Sequence, residues 1–278
     1  MLTTLHSFDR TNGGNPYAGL VQGADGMLYG TTFDGGAYKH GTVYAISQSG
    51  TFNTLHTFHL TDGSGPVGGL MEYDDGSFFG TTEGGGANGY GTVFQLSPYG
   101  PLTTLYSFDK THGAYPFGAL VQGTDQNLYG TTNGGGANGD GTIFQITSGG
   151  TLTTLHSFDS ADGSAPYGGL VQGTDGNFYG TTEAGGPNND GTIFRLSMGL
   201  APFVKTLPIF GRVGATVTIL GTDLTGATSV TFHGTAATFT VLSPTAIKAT
   251  VPAGARTGMV QVTAPSGTLA SNVPFEVL

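Results

Sequence analysis

Two glutamates, Glu83 and Glu183, occupy the same column of a sequence that repeats every 50 residues. Paired carboxylates are what glycoside hydrolysis uses: about 5 Å apart they supply a nucleophile and an acid, and about 6.5–9.5 Å apart they leave room for a water. Other reactive side chains stand at columns that differ from copy to copy. One column reads His40, Tyr90, Asp140, Asp190; another Asn12, Asp62, His112, Asp162; a third Asp9, His59, Asp109, Asp159. Asn138-Gly139-Asp140 and Asn188-Asn189-Asp190 read as tight turns. Their oxygens suit calcium or another hard cation in the loops or in an axial channel, without the spacing of an EF-hand; no cofactor is otherwise required. Tyr38, Tyr90 and Tyr115 are loop rings set among Asn, Asp and Gly, the composition of a sugar-binding surface. His40, His59 and His112 vary between copies and so are better ligand candidates than His6, His56 and His156, which share one column with Tyr106 and read as packing residues. No pair of histidines has zinc-ligand spacing, so no metal site is assigned. No Gly-x-Ser-x-Gly elbow is present. The catalytic candidates are therefore Glu83 and Glu183. The ligand-binding candidates are Tyr38, His40, His59, Tyr90, His112, Tyr115, Asn138, Asp140, Asn188 and Asp190.

The elements that must position these residues follow from the repeat. Four copies in one register fill the first 200 positions, as in Leu5, Leu55, Leu105, Leu155 and in Phe8, Phe58, Phe108, Phe158. Periods of this size indicate propellers, solenoids or arrays. Within the second copy, β-like runs at Thr51–Phe58, Gly68–Glu72, Ser77–Thr82 and Gly91–Ser97 are separated by the turns Tyr73-Asp74-Asp75-Gly76 and Pro98-Tyr99-Gly100. Four strands per copy is a propeller blade. Asp25-Gly26, Asp75-Gly76 and Asp175-Gly176 read as hairpin turns, with structural aspartates. Leu2–Phe8 matches the outer-strand column, while the fourth copy ends on the strand before it. The expectation is an all-β, four-bladed β-propeller over residues 1–199, with the N-terminal strand closing the last blade and removing a sheet edge. Small residues such as Ala18-Gly19 and Gly118-Ala119 suit a crowded axis. A solenoid would need capping repeats unlike the interior ones, and none differ in that way. The long, variable connections, Asp9–Tyr17 and Phe33–His40 with their equivalents, share one face, the default binding surface.

Composition narrows the function classes. The chain has 51 glycines without a collagen period, only 9% charged residues, and no cysteine, which excludes disulfides and thiolate chemistry. Of the net charge of −10, residues 1–199 carry −12 and 200–278 carry +2. An acidic repeat region repels phosphate backbones, so nucleic acid is not an expected partner. No run of 18 apolar residues suggests a membrane span. The chain is expected to be a monomer.

The motif Leu28-Tyr29-Gly30-Thr31-Thr32-x-x-Gly35-Gly36-x-x-x-x-Gly41-Thr42-Val43-Tyr44, present in all four copies, resembles the Gloeobacter/Verrucomicrobia-type tandem repeat of bacterial extracellular proteins. The resemblance implies a secreted or cell-surface protein, whose leader is expected outside this sequence, and transfers no residue-level chemistry. From Pro202 the pattern changes. Val217–Leu224 with Gly221-Thr222-Asp223-Leu224, Val230-Thr231-Phe232, and Ile247–Pro252 resemble an IPT/TIG immunoglobulin-like sandwich, assigned to residues 200–278. Such domains imply a spacer or accessory module, and His233 reads as a strand-end or turn residue. Three functions fit: a secreted glycan-recognising propeller binding a polysaccharide or oligosaccharide on its long-loop face, a glycoside hydrolase or polysaccharide lyase acting near Glu83/Glu183, or a structural surface adhesin.

Overall fold

Threonine, valine and aromatic residues alternate with glycine-bounded turns along each repeat, and each repeat folds as a short antiparallel meander. The structure, a computed structural model, describes residues 1–278 apart from Asp74 and 98–100; the expected Pro98-Tyr99-Gly100 turn and the Asp74 position lie outside the described residues. Repeat one forms β1 (Val21–Gln22), β2 (Leu28–Thr32), β3 (Thr42–Ile46) and β4 (Phe52–Thr57). Repeat two forms β5 (Met71–Glu72), β6 (Phe78–Thr82), β7 (Thr92–Leu96) and β8 (Leu102–Ser107). Repeat three forms β9 (Val121–Gln122), β10 (Leu128–Thr132), β11 (Thr142–Ile146) and β12 (Leu152–Ser157). In each of these sheets the strands are hydrogen-bonded in chain order. The fourth repeat gives a three-stranded sheet of β13 (Val171–Gln172), β14 (Phe178–Thr182) and β15 (Thr192–Leu196). All regular elements of the described residues are strands, and no helix there is long and apolar enough to cross a membrane.

The first strand of each repeat is shorter than its apolar pattern suggests, and in repeats two and three the Gly-rich residues before it pack against the next repeat. A Cβ on Gly68 would lie 2.9 Å from the carbonyl oxygen of Gly118, and one on Gly118 would lie 2.7 Å from the amide nitrogen of Gly169. Thr81 and Thr131 donate hydroxyl hydrogen bonds to the carbonyls of Gly118 and Gly168. The hairpin turns form where the Asp-Gly pairs predict. Gly26 N–H donates to Gly23 and Gly76 N–H to Tyr73, while the carboxylates of Asp25 and Asp75 accept from the amides of Met27 and Ser77.

Apolar clusters fill the spaces between successive sheets. One joins Tyr29, Val43 and Phe58 to Phe78 and Phe94; the next joins Phe79, Val93 and Phe108 to Leu128 and Phe144. A sheet covered on both faces shows no inside-outside alternation. The strand β7 is accordingly buried at four of its five positions, whereas β15 alternates with Ile193 and Arg195 exposed.

The expected closing strand does not form. Residues 2–8 pair with no strand, and Leu2 is fully exposed. Phe8 instead packs edge-on against Tyr44 and Phe52 of repeat one, and His6 stacks on Phe52 at 3.9 Å. Phe8 is held by the pocket of the repeat that follows it, as Phe58 is by Phe94 and Phe108 by Phe144, but the edge of β15 does not lie beside residues 2–8 as the edge of β3 lies beside β4. That places residues 2–8 beside the first sheet rather than the fourth.

The chain divides into two compact units, residues 1–171 with 179–195, and residues 172–178 with 196–278. In the second unit β16 (Lys205–Leu207), β17 (Phe210–Gly211), β18 (Thr216–Leu220), β19 (Ser229–Phe232), β20 (Thr235–Ala236), β21 (Phe239–Ser243), β22 (Ala246–Thr250), β23 (Val260–Ala264), β24 (Gly267–Ala270) and β25 (Glu276–Val277) follow in order. Two four-stranded sheets, β16-β18-β22-β21 and β20-β19-β23-β24, share one core, with β17 and β25 paired in parallel. Alternation is regular here: Val217, Ile219, Val230, Phe232, Ile247, Ala249, Val260 and Val262 all point inward. His233 occupies a turn with φ of 47°.

The close approach at Gly118 gives a direct test. Gly118→Ala is expected to cost about 1–3 kcal/mol through overpacking, whereas Gly19→Ala, where a Cβ meets nothing within 4 Å, is expected to stay within about 0.5 kcal/mol. Equal midpoints in urea denaturation for the two variants would contradict the inter-repeat packing.

Candidate functional site

The long-loop face of the repeat unit is built on a threonine pair. The hydroxyl of Thr32 lies 2.9 Å from that of Thr42, accepts the Thr42 amide and donates to the carbonyl of Asp34. The Thr42 hydroxyl is also 3.4 Å from the carbonyl of Asn12, so one buried pair ties together both loops of the repeat. Thr82/Thr92, Thr132/Thr142 and Thr182/Thr192 repeat the arrangement at 2.8–2.9 Å. Backbone bridges Gly14↔Asp34, Ser64↔Gly84, Ala114↔Gly134 and Ser164↔Ala184 complete the join. Glycine is required beside it, since a Cβ on Gly63, whose φ is 151°, would come within 2.6 Å of Thr82.

On this frame the variable residues meet across the junctions between repeats. At the first junction His40 Nδ1 lies 3.0 Å from Ser64 Oγ, and Tyr38 meets His59 edge-on at 4.8 Å. His59 Nδ1 is 3.1 Å from Thr61 Oγ1. Glu83 stands at this junction too: an added Cβ on Gly65 would touch both Phe33 and the Glu83 side chain. Burial raises the pKa of Glu83 above the ordinary glutamate value. At the second junction Tyr90 and Tyr115 meet edge-on at 5.9 Å, and Tyr115 N–H donates to the carbonyl of Tyr90. Asn133 donates its own backbone N–H to Tyr115, while its buried Nδ2 has no hydrogen-bond partner. At the third junction Asp140 accepts hydroxyl hydrogen bonds from Ser164 at 2.9 Å and Ser160 at 3.1 Å. Asn138 donates to the carbonyl of Phe158, which makes it a brace for the loop.

His112 is bound within its own loop, Nδ1 lying 2.8 Å from Asp109. Hydrogen bonds from the amide and imidazole of His112 outweigh partial burial and hold the Asp109 carboxyl below the usual range. Asn188, Asp190 and Glu183 are exposed on the fourth repeat. Glu83 and Glu183 directly follow β6 and β14, strands of different sheets. No group of three His, Asp or Glu side chains converges as a cation site among the described residues. His56 and His156 lie 3.1 and 2.8 Å from Asp62 and Asp162, with their rings edge-on to Phe58 and Phe158, in keeping with packing.

One feature of repeat one has no counterpart in the repeat pattern. Arg10, Thr11, Asp34, Gly35, Gly36, Ala37 and Lys39 line a cleft of about 670 Å³ on repeat one. Arg10 pairs with Asp34 at 3.1 Å, and Asn15 donates to the same carboxylate oxygen. The signal was present: at columns 34 and 39 only the first repeat carries charge, against Gly84, Gly134, Ala184 and Gly89, Gly139, Asn189. The junctions thus offer rings, hydroxyls and carboxylates, groups suited to apolar stacking and to hydrogen bonding.

The family model described as Gloeobacter/Verrucomicrobia repeat matches residues 1–194 and 73–240. No curated protein matches the chain in sequence. Among solved structures, a gluconolactonase from Xanthomonas campestris is similar at 16% identity, over 84% of this chain and 71% of that one, with a TM-score of 0.41. Virginiamycin B lyase from Staphylococcus aureus is 15% identical over 90% of this chain and 78% of its own, at 0.45. A putative 6-phosphogluconolactonase from Bacteroides uniformis is 14% identical over 90% and 78%, at 0.43.

The raised pKa of Glu83 has a sign that can be checked. Because the folded state holds the proton more tightly than the unfolded state, its contribution favours folding at low pH and is lost as the pH rises through the glutamate range. Glu83→Gln removes that loss, so its melting temperature relative to the parent is expected to climb between about pH 4 and 7. A constant difference across that window would place Glu83 in open solvent.

Proposed function

The chain belongs to the Gloeobacter/Verrucomicrobia repeat family, and we propose that it is a secreted glycan-binding protein whose propeller-type repeats, residues 1–199, hold a polysaccharide or oligosaccharide on the long-loop face. Residues 200–278 serve as an immunoglobulin-like accessory module of the IPT/TIG kind. The observation that carries this reading is the set of solvent-facing rings beside hydrogen-bonding groups: Tyr38 is 54% and Tyr115 42% exposed, each next to a junction polar group. Repeated junctions of similar build favour several weak contacts whose avidity adds.

A second reading, a polysaccharide-degrading enzyme, is supported by Glu83 alone, whose half-buried carboxyl beside Phe33 has the environment of a general acid. Affinity electrophoresis through gels containing soluble polysaccharides separates the two. Tyr38→Ala and Tyr115→Ala are each expected to weaken retention about three- to tenfold, the worth of a lost ring contact, with no reducing ends released. Release of reducing ends by the parent chain and not by Glu83→Gln would replace the binding reading with the enzymatic one.

A further inference from the structure

The two ends of the repeat series carry complementary halves of one junction. At every internal junction the following repeat inserts the same plug into the same socket. The amides of Phe58, Phe108 and Phe158 donate to the carbonyls of Gly41, Gly91 and Gly141 at 2.9–3.0 Å. Those of Gly65, Tyr115 and Ala165 donate to His40, Tyr90 and Asp140 at 2.9–3.0 Å. Pro66, Pro116 and Pro166 press against the socket glycines and are buried.

In the first repeat this plug is exposed. Pro16 is exposed, and Leu20 is 52% exposed where Leu70, Leu120 and Leu170 are 5–8%. The plug nevertheless already has its working shape. Asn15 has a φ of 54°, as Gly65, Tyr115 and Ala165 have 65°, 60° and 56°. Phe8 meets Tyr44 at 5.2 Å and 64°, the geometry of Phe58 on Phe94. The fourth repeat presents the socket with nothing in it. Gly191, with a φ of 90°, keeps close to the 94–100° of Gly41, Gly91 and Gly141. Ile193 is 84% exposed, where Val43, Val93 and Ile143 are at most 2%.

We propose that the open edge of the fourth repeat receives residues 5–20 of a second copy of this chain, making a head-to-tail junction equivalent to the three internal ones. The outer-strand pairing Thr42↔Thr57 and Val43↔His56 transfers to Thr192 with Ser7 and Ile193 with His6 of the second copy, extending β15 by a strand and covering its edge. Such contacts close two copies reciprocally into a ring or, where the rotation does not close, continue as a filament.

Sedimentation velocity of the full chain tests this. The parent is expected to shift with concentration from 28.2 kDa to at least about twice that mass. Ile193→Glu blocks the socket and Leu20→Glu the plug; each substitution sits on an exposed side chain, and each variant alone is expected to remain at the monomer mass. Mixed in equal amounts they are expected to form a one-to-one dimer, because one variant keeps an intact plug and the other an intact socket. A parent that stays at 28.2 kDa at every concentration, a blocked variant that associates as the parent does, or a mixture that stays monomeric would each overturn the proposal.

Discussion

The buried threonine pair is the constraint on which the rest of the repeat unit depends. Two hydroxyls at 2.8–2.9 Å, with one also accepting a backbone amide and donating to a carbonyl, leave little of their hydrogen-bonding capacity unused inside the protein. Leaving a buried hydroxyl unsatisfied costs about 1–3 kcal/mol, so the pair tolerates neither partner's loss. It also dictates its surroundings. Gly13, Gly63, Gly113 and Gly163 must be glycine because their Cβ positions fall 2.5–2.6 Å from the first threonine of the pair. The Gly-Thr-Thr and Gly-Thr columns of the sequence are therefore one structural device, and the two variable loops inherit their positions from it.

Because each device is local, what holds the series together is the junction. Phenylalanine insertion, the glycine carbonyl bond and the buried proline recur three times with almost the same distances. A unit of this kind draws its stability from the repeats and from nearest-neighbour contacts in sequence, with terminal repeats short of one contact each. That accounts for the burial of β7 on both faces and the bare face of β15, though the two strands, Thr-Val-Phe-Gln-Leu and Thr-Ile-Phe-Arg-Leu, are alike in apolar content.

The same point separates what sequence makes legible from what it does not. The two middle strands of each repeat, the Asp-Gly turns and the need for small residues at Gly68 and Gly118 are consequences of local pattern, repeated often enough to be read without ambiguity. Closure is not local. Leu2–Phe8 has the composition of an outer strand, and nothing in those residues says whether the socket it fits lies at the far end of its own chain. The variable columns were legible as variable, but the pairs were hidden: His40 with Ser64 and Asp140 with Ser164 are 24 residues apart and belong to different copies. Comparing copies position by position conceals contacts made between copies. The Arg10, Asp34 and Lys39 cleft was missed for the opposite reason, since its charges are unique to repeat one and a search for recurrence passes over them.

The side chains of this face therefore meet at junctions, each made by two repeats rather than one. Rings and an unpaired amide at Tyr90, Tyr115 and Asn133, imidazole and carboxyl at His40 and Glu83, and a carboxylate held by two serines at Asp140 are chemically different settings on one scaffold. Glu183, Asn188 and Asp190 occupy the equivalent half-site on the fourth repeat, with no following repeat to supply the other half. A second copy docked at that edge would set its Asn15 and Pro16 beside them, as Gly65 and Pro66 stand beside His40. Assembly and ligand binding would then be coupled through a subsite that neither copy contains alone, and a ligand bridging it would strengthen the association by the amount that it prefers the joined form.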